Sequence, residues 1–267
     1  MDTLSTRSGS SRLGRRPGLH LCAAACVAFG AACAGAANGE PPTDGDALGG
    51  GSSQADELSM NTLTAQERAA GWELLFDGES LAGWRGYNRP DLPGGWAAVD
   101  GTRARTGTGA DIITDREFED FELRLEWRLE AGGNSGIFYR AAEGEEWVYH
   151  SAPEYQVLDD ERHPDGQSPL TSAGANYGLH PTMPGVVRPV GEWNEARIVV
   201  RGDHVQHWLN GTLVVEYELG SAEWQALVDG SKFSQWPAYG QAPRGHIGLQ
   251  DHGDPVWYRN IKVRVIE

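Results

Sequence analysis

A strict alternation of apolar and charged residues over residues 121–130 is the clearest secondary-structure signal in this chain. Its apolar members are Phe121, Leu123, Leu125, Trp127 and Leu129. Because successive side chains of a strand point to opposite faces, the pattern predicts a long strand with one buried face and one charged face. Gly132-Gly133-Asn134 is typical of a turn, and residues 137–140 predict the strand that returns from it.

Further strands are predicted in the C-terminal half of the chain. They span residues 195–201, 204–209, 212–217, 246–249 and 256–266. Asn210-Gly211 is a strong hairpin signal, because both central residues of a type I′ turn need a positive φ angle. Many short strands joined by turns, with no alternation of strands and helices, predict an all-β fold in which two antiparallel sheets form a sandwich.

Helical signals are few. Thr64-Ala65-Gln66-Glu67 predicts an N-cap and a first helical turn, and this short helix should end at Gly71. Residues 224–228 predict at most a single turn within a loop. Four tryptophans within apolar or turn segments are expected in the core: Trp72, Trp84, Trp96 and Trp193.

The composition and the missing motifs exclude several classes of function. A net charge of −16 over 267 residues argues against nucleic acid as a partner, because its phosphates would be repelled. The sequence has no nucleotide-binding fingerprint, phosphate loop, G-x-S-x-G elbow or H-E-x-x-H motif, so we expect no nucleotide cofactor. All three cysteines lie within the first 33 residues, so the rest of the chain has no disulfide framework and no thiolate metal site.

The N-terminal residues 1–33 predict an export signal. A basic region of Arg12, Arg15 and Arg16 precedes an apolar run of small residues, Leu19–Ala32, which is too short for a comfortable membrane span. Gly30-Ala31-Ala32-Cys33 is similar to a relaxed lipobox, which would place a lipid on Cys33. The alternative is cleavage at a small-x-small site near Ala34 or Ala36. The lipoprotein is favoured because the stretch after Cys33 has the composition of a tether.

These boundaries divide the chain into a signal (residues 1–33), a disordered linker (residues 34–58) and a folded domain (residues 59–267). The linker has almost no large apolar residue and cannot bury enough surface to fold. The protein is therefore expected to be exported, as a membrane-anchored or periplasmic lipoprotein or as a secreted protein. A lipid anchor would be its one contact with a membrane.

The segment Glu154–Asp159 carries the most suggestive chemistry. As a strand, it places Glu154 and Gln156 on one face, and a β-bulge after Gln156 would bring Asp159 to the same face. Two carboxylates and an amide on a sheet can transfer protons on a sugar or bind a hard cation. The alternative is a half-solvated strand whose acids face water.

Seven motifs in chain order resemble a bacterial family, the 3-keto-disaccharide hydrolase domains. They are Gly71–Gly78 with Leu81–Trp84, Gly133–Arg140, Glu154–Asp159, Gly191–Asn194, Leu209–Gly211, Gly248–Gly253 and Tyr258–Ile261. The resemblance runs from about Leu63 to Val265 and implies a concanavalin-A-like jelly-roll sandwich with a concave ligand face. It also implies a 3-keto-glycoside, or another saccharide, as the partner.

The implied activity is chemically reasonable. A ketone at C3 of a sugar acidifies the C2 proton, so a general base can remove it while donors or a cation hold the enolate. The C1 substituent then leaves, and water can add to the resulting enone. Cleavage, hydration or both in sequence are expected.

The resemblance assigns roles to individual residues. Glu154 and His252 are the expected general bases or ligands of a divalent cation, and His207 is a third catalytic candidate, preferred over His204 on the family pattern. The expected substrate contacts are Asn134, Arg140, Gln156, Asp159, His163, Tyr177, Gln250, Asp251 and Arg259. Any cation should have oxygen and imidazole ligands, since the domain has no thiolate.

One cavity on the concave sheet should gather most of these side chains. Its expected members are Glu154, Gln156, Asp159, His207, Gln250, His252 and Arg259. Arg259 shares a predicted strand face with Ile261 and Val263, so we expect it to be buried and paired with an acid, Glu154 or Asp159. Arg140 is expected to contact ligand.

Two other functions use the same fold. A laminarinase-type glycosidase would show a Glu-x-Asp-x-x-Glu strand, and this chain departs from it at Gln156 and Asp159. A non-catalytic carbohydrate-binding module is the other alternative, because the fold alone does not imply catalysis. Such a module would need no histidine on the loop that carries His252.

Overall fold

Two antiparallel sheets are formed by residues 60–267, the part of the chain that a computed structural model describes. The predicted signal, the linker and Cys33 lie outside these residues and stay predictions. The strands are β1 (Trp72–Leu74), β2 (Trp84–Gly86), β3 (Trp96–Val99), β4 (Thr102–Arg105), β5 (Ile112–Phe118), β6 (Phe121–Leu129), β7 (Asn134–Ala141), β8 (Glu154–Leu158), β9 (Asn194–Arg201), β10 (His204–Leu209), β11 (Thr212–Glu218), β12 (Gly245–Leu249) and β13 (Val256–Val265).

The strands fall into a larger and a smaller sheet. The larger one has eight strands in the order β11-β10-β9-β6-β13-β4-β3, with β1 also paired to β13. The smaller one has five strands in the order β2-β5-β12-β7-β8. Neighbours in sequence are often not neighbours in the sheets, as in a jelly roll. The predicted all-β sandwich of two antiparallel sheets is confirmed.

The core lies between the two sheets and is centred on β6. Its five apolar residues are each at most 3% exposed, as the alternation predicts. Fully buried side chains of the five-stranded sheet include Ile137 and Tyr139 from β7 and Tyr155 and Val157 from β8. Because side chains alternate along a strand, the residues between them face away from the core. This outward face of the five-stranded sheet carries the candidate site.

The outward face of the eight-stranded sheet is charged, as predicted, and its charges are paired. Glu122 is only 1% exposed, because it forms ion pairs with three arginines whose aliphatic stems cover it. These are Arg124, Arg197 and Arg264. Trp72, Trp84 and Trp96 are buried, as expected. Trp193 is only partly buried, with the Arg259 guanidinium 4.2 Å from the centre of one ring, so its placement in the core is wrong.

The turn between β10 and β11 follows from the local sequence, whereas an irregularity in β13 does not. Asn210 and Gly211 have φ angles of 48° and 80°, so the predicted turn between β10 and β11 is confirmed. In β13 the pairing with β6 shifts just after Arg259, where Asn260 has a φ angle of 54°. This irregularity reverses the two-residue alternation, so Ile261 faces the core and Arg259 faces outward. The prediction that both share one face is wrong.

Two α-helices occur among residues 60–267, α1 (Ala65–Ala69) and α2 (Ala222–Asp229). The predicted capping box is present in α1, where Thr64 and Glu67 cap each other. The expectation of a single turn near residue 224 is wrong, because the Ser221 hydroxyl caps a full helix that buries Trp224 and Val228. Short 3₁₀ helices span Val148–His150, Pro164–Gln167 and Lys232–Gln235. Neither α-helix in this part of the chain is long and apolar enough to cross a membrane.

Candidate functional site

A cavity of about 220 Å³ opens on the outward face of the five-stranded sheet. Its floor comes from β7, β8 and the residue after β12, and its walls come from loops that pack over this face. The lining residues are Asn134, Tyr149, Glu154, Gln156, Tyr177, Lys232, Gln250 and His252. Six of these eight were expected from the sequence as catalytic or substrate-binding residues; Tyr149 and Lys232 were not.

The strand geometry explains why Glu154 and Gln156 share the floor. Both precede a core residue of β8, so the two-residue alternation points them outward together. Gly136 of β7 lies directly opposite Gln156 in the register. A Cβ atom at Gly136 would lie 2.1 Å from Glu154 Oε1, so only glycine leaves room for the carboxyl group across β7.

The carboxyl group of Glu154 is the most perturbed acid of the cavity. Its residue is 7% exposed, and this burial raises the pKa of Glu154 to about 8. The Lys232 charge pulls the pKa down, whereas the carboxylates of Asp111 and Asp165 push it up. A smaller lowering comes from a hydrogen bond with the Gln250 side chain. At neutral pH Glu154 therefore holds a proton that it can exchange close to the physiological range.

Three amide oxygens around Glu154 have no hydrogen-bond partner among residues 60–267. They are Asn134 Oδ1, Gln156 Oε1 and Gln250 Oε1. The Gln156 side chain is held in place because its Nε2 donates to the carbonyl oxygen of Thr171 at 3.1 Å. Buried polar atoms normally form hydrogen bonds, so these oxygens are available to accept hydrogen bonds from a ligand. Sugar hydroxyl groups are such donors, and a hard cation is the other group that amide oxygens bind.

The loop after β12 presents His252 at the rim. Its imidazole is 49% exposed, and its Nδ1 lies 4.0 Å from Asp254 Oδ2. Asp251 turns the other way and forms a buried ion pair with Arg105. Its backbone N–H also donates to Asp111 Oδ1 at 2.8 Å. Asp251 therefore anchors the loop that carries His252. Its side chain does not line the cavity, so the predicted contact between Asp251 and substrate is wrong.

Lys232 and two tyrosines form the wall opposite the loop. The Lys232 Nζ lies 4.6 Å from the ring centre of Tyr177, 5.5 Å from that of Tyr149 and 5.2 Å from that of Phe233. The Tyr177 hydroxyl donates to Asp165 Oδ2 at 3.0 Å, which fixes the ring. Sequence reasoning missed Lys232 and Tyr149 because they come from distant segments. The rarity of lysine was the available signal, since the chain has only Lys232 and Lys262.

His163 lies at the edge of the cavity without lining it. Its Nδ1 accepts the backbone N–H of Asp165 at 3.1 Å, which caps the 3₁₀ helix Pro164–Gln167. Its Nε2 lies 3.4 Å from Asn134 Nδ2, and its ring packs edge-on to His252 at 6.1 Å. His163 therefore contacts two residues of the cavity wall and positions them.

His207 lies in the core between the sheets, not in the cavity. Its Nδ1 donates to the carbonyl oxygen of Gly174 at 3.0 Å, so its Nε2 accepts the hydroxyl hydrogen of Tyr139 at 2.8 Å. Burial lowers the pKa of His207 to about 3, so the ring is neutral. The prediction that it shares a cavity with Glu154 is wrong, because β10 belongs to the other sheet and turns His207 inward.

Three further predicted contacts are also placed elsewhere. The Asp159 carboxylate accepts the backbone N–H of Gly132 at 2.7 Å; β7 and β8 pair without a bulge, so it never joins Glu154. Arg140 donates to the carbonyl oxygen of Gly202 at 2.7 Å and holds that turn. Arg259 pairs with Glu126 at 2.7 Å on the eight-stranded sheet, far from either predicted acid partner. The expected convergence is wrong for Asp159 and Arg259, and the expected ligand contact of Arg140 is wrong as well.

A larger concavity of about 370 Å³ lies beside β11 and α2. His204, one of the two histidines that line it, is held by Glu218 at 2.7 Å and by Glu216 at 3.1 Å. The two glutamate side chains are 56% and 48% exposed. This surface has satisfied, solvated charges, so the smaller cavity around Glu154 is the better candidate for chemistry.

The metal-binding potential of the cavity rests on oxygen atoms. No group of three or more His, Cys, Asp or Glu side chains within residues 60–267 is arranged to hold a metal ion. Glu154 and the three unpartnered amide oxygens supply oxygen ligands of the kind that hard cations prefer. His252 adds one imidazole at the rim.

Known proteins resemble this chain in both sequence and structure. A 3-keto-disaccharide hydrolase of Bacteroides thetaiotaomicron is 40% identical over 240 residues, which cover 78% of this chain and 83% of the relative. A candidate glycosyl hydrolase of Parabacteroides distasonis, known from its crystal structure, has a TM-score of 0.73 and 32% identity. It matches over 78% of this chain and 100% of its own length.

A second crystal structure from the same organism, also of a candidate glycosyl hydrolase, has a TM-score of 0.58 and 32% identity over 73% of this chain and 99% of its own. Residues 71–264 match the family described as the 3-keto-alpha-glucoside-1,2-lyase-like domain. This match covers most of the chain and includes every residue that lines the cavity. A carbohydrate-active enzyme is the class of protein that these likenesses support. The chain therefore belongs to the 3-keto-alpha-glucoside-1,2-lyase-like domain family.

Proposed function

We propose that the domain cleaves glycosides whose sugar ring carries a ketone at C3. In this reaction Glu154 removes the C2 proton and the C1 substituent is then eliminated. Addition of water to the resulting enone would complete a net hydrolysis at the same site. The proposal covers elimination, hydration, or the two in sequence.

The buried carboxyl group of Glu154 is the observation that carries this proposal. A C2 proton beside a ketone is only weakly acidic, so a base stronger than an ordinary carboxylate favours its removal. A pKa of about 8 gives Glu154 that strength near physiological pH. The name of the Bacteroides thetaiotaomicron relative, 3-keto-disaccharide hydrolase, fits a substrate of this class.

The electron movements of the proposed elimination balance without an oxidant or reductant. Ionised Glu154 takes the C2 proton, and the electrons of that C–H bond form an enolate whose charge lies on the C3 oxygen. The enolate re-forms the C3 ketone, a double bond forms between C1 and C2, and the C1–O bond breaks. The leaving oxygen takes up a proton and departs as an alcohol.

The other residues of the cavity have proposed roles that follow from their positions. The unpartnered oxygens of Asn134, Gln156 and Gln250 accept hydrogen bonds from sugar hydroxyls and fix the ring above Glu154. His252 protonates the leaving oxygen, because its half-exposed imidazole lies where a leaving group would pass into solvent. If a divalent cation binds, Glu154, these amide oxygens and His252 would hold it, and it would supply Lewis-acid polarisation of the ketone.

A two-carboxylate glycosidase is less well supported. Retaining and inverting mechanisms need a second carboxyl group on the other side of the scissile bond. Glu154 is the only acid among the described residues that line the cavity, and Asp159 is hydrogen-bonded elsewhere. A non-catalytic saccharide-binding module would not need a buried acid with a raised pKa such as Glu154. Turnover of a 3-keto substrate distinguishes catalysis from binding alone.

The test compares a glucoside with its 3-keto derivative, incubated with the purified protein with and without EDTA. We expect consumption of the 3-keto compound only, with release of the aglycone and formation of enone or free 3-keto sugar. Glu154→Gln and His252→Ala should each reduce this turnover at least about 100-fold, the scale of a lost general acid or base. Circular dichroism should show that both variants keep the β-sheet fold.

The control is Glu216→Gln, whose side chain lies at the larger concavity and is 48% exposed. It should keep the wild-type rate. Binding of the sugar without turnover would instead support a binding module. Wild-type activity in both site variants would place the chemistry outside this cavity and end the proposal.

A further inference from the structure

Lys232 is an isolated positive charge in a protein that carries a net charge of −16. The other lysine, Lys262, is paired with Glu67 on the far sheet. Among residues 60–267, Lys232 forms no ion pair within 4.0 Å. Lys232 therefore lines the cavity without a carboxylate bound directly to its ammonium group.

Three aromatic rings hold this ammonium group in place of a carboxylate. Tyr149, Tyr177 and Phe233 lie with their ring centres between 4.6 and 5.5 Å from Nζ. Ring faces attract a cation through their quadrupole without cancelling its charge, unlike an acid. This arrangement positions a long, flexible side chain and leaves its electrostatic field available to a ligand.

The field of Lys232 reaches the reacting position. Among the charges that act on the pKa of Glu154, Lys232 has the largest effect, ahead of Asp111 and Asp165. It is also the only one of the three that favours the ionised form. An anion that forms on a substrate atom next to Glu154 would feel the same field. Lys232 is also the only lysine or arginine among the described residues that line the cavity.

We propose that Lys232 is a catalytic residue whose ammonium group stabilises the negative charge that develops on the C3 oxygen when Glu154 removes the C2 proton. This inference rests on the proposed function. Lys232 forms no covalent bond in the step, since it only donates a hydrogen bond to the oxygen while the enolate exists. Its interaction is stronger in the transition state than with the neutral ketone, so it lowers the barrier instead of tightening substrate binding.

The test uses four proteins and a 4-nitrophenyl glucoside oxidised at C3. These are the wild type, Lys232→Met, Lys232→Arg and the matched control Lys262→Met. We expect Lys232→Met to reduce kcat about 100- to 1,000-fold, the loss seen when an oxyanion donor is removed. KM should change less than about threefold, because the charge acts on the transition state. Lys232→Arg should recover part of the rate, and Lys262→Met should match the wild type.

Several outcomes would overturn the inference. An unchanged kcat in Lys232→Met, or a loss confined to KM, would show that the charge only binds substrate. Trapping of a substrate adduct on Lys232 by sodium cyanoborohydride, located by peptide mass spectrometry, would show covalent imine chemistry instead. Activity of Lys232→Met restored by added Mg²⁺ or Ca²⁺ would assign the charge to a metal.

The proposed function has its own separate failure. If the wild type and Lys262→Met leave the 3-keto compound intact, the reaction itself is wrong. If both are active and Lys232→Met is equally active, only the role of Lys232 is wrong. Melting temperatures of the wild type and of both Lys232 variants should agree within a few degrees, because Lys232 is exposed at the residue level and is not part of the core.

Discussion

Single residues in this protein take their chemistry from burial more than from their type. Glu154 and Glu161 are both glutamates of the same loop–strand region. Glu154 is 7% exposed and has a pKa of about 8, whereas the Glu161 side chain is 77% exposed in a surface ion pair. The neighbouring Gly136 has no side chain and leaves room for the Glu154 carboxyl group against the sheet, where burial raises its pKa.

The raised pKa of Glu154 predicts a pH-dependent stability. The folded pKa of about 8 exceeds the ordinary value of 4.5, so between these pH values the unfolded chain binds fewer protons than the folded protein. Stability should therefore fall as pH rises through this window, by up to about 1.4 kcal/mol per pH unit from this group. Glu154→Gln should remove that part of the slope in urea titrations from pH 4.5 to pH 8.

Glu161→Gln is the matched control for this measurement, because its side chain is solvated. It should leave the slope of the wild type unchanged. The same wild-type slope in Glu154→Gln would contradict the assignment of a high pKa to Glu154.

His207 and Lys232 show why residue type misleads at this scale. A histidine on a predicted strand next to a hairpin was a reasonable catalytic candidate, yet His207 is fully buried among Tyr139, Tyr155 and Tyr217. Lys232 is one of only two lysines in the chain, and this rarity was the one signal in the sequence for a residue that lines the cavity. Sequence gives the donor and acceptor atoms of each side chain, but their surroundings come from segments far away in the chain.

Individual elements were predicted well where one local period defines them. The alternation of β6, the turn at Asn210-Gly211 and the capping box of α1 each depend on fewer than a dozen neighbouring residues. The sequence underestimates the helix α2, because the segment after its cap, Ser221, is only eight residues long. Its packing of Trp224 against Tyr217 and Tyr239 stabilises it from outside the segment.

The loop after β12 is the element on which the position of His252 depends. Asp251 anchors it through a buried ion pair with Arg105, whose side chains are 6% and 8% exposed. Asp251→Ala would leave the Arg105 charge buried without its partner, so it should lower the free energy of unfolding by about 3–5 kcal/mol. Turnover of the 3-keto substrate should fall as well, because His252 loses its support.

The control for the loop is Asp115→Ala. Asp115 lies 3.7 Å from Arg85 and its side chain is 58% exposed, so its loss should cost less than about 1 kcal/mol. Urea unfolding of the two variants gives the comparison. Equal stabilities of the two variants would mean that the buried pair does not hold the loop.

At the scale of the whole molecule, the site depends on how the sheets and loops assemble. The cavity takes residues from β7, β8, the loop after β12, two 3₁₀ helices and the loop that carries Tyr177. The eight-stranded sheet supplies the opposite side of the core and keeps Arg259 and His207 away from the site. A family relationship is therefore enough to predict the fold. Whether a given residue reaches the site depends on its sheet and on the face of the strand that carries it.

Export also belongs to the whole chain, and we propose that the protein is a lipoprotein anchored through Cys33. In the native host, Cys33→Ser should move the protein from the membrane fraction to the soluble fraction, because the thiol that carries the lipid is gone. Cys26→Ser is the control and should stay in the membrane fraction. Mass spectrometry of the mature protein should find Cys33 with lipid at the N-terminus. An intact Met1 would contradict the export signal.

The sequence by itself determined the features that repeat over a few residues. It predicted the all-β class, the buried face of β6, the turn at Asn210-Gly211 and the shared strand face of Glu154 and Gln156, because strand alternation and turn φ angles are local properties. Only the tertiary structure decided which predicted residues meet. His207 is buried between the sheets, Arg259 is turned outward by a bulge, and Lys232 is brought to the cavity by a 3₁₀ helix. These outcomes depend on strand order, bulges and loop packing, which join segments far apart in the chain and leave no periodic trace in it.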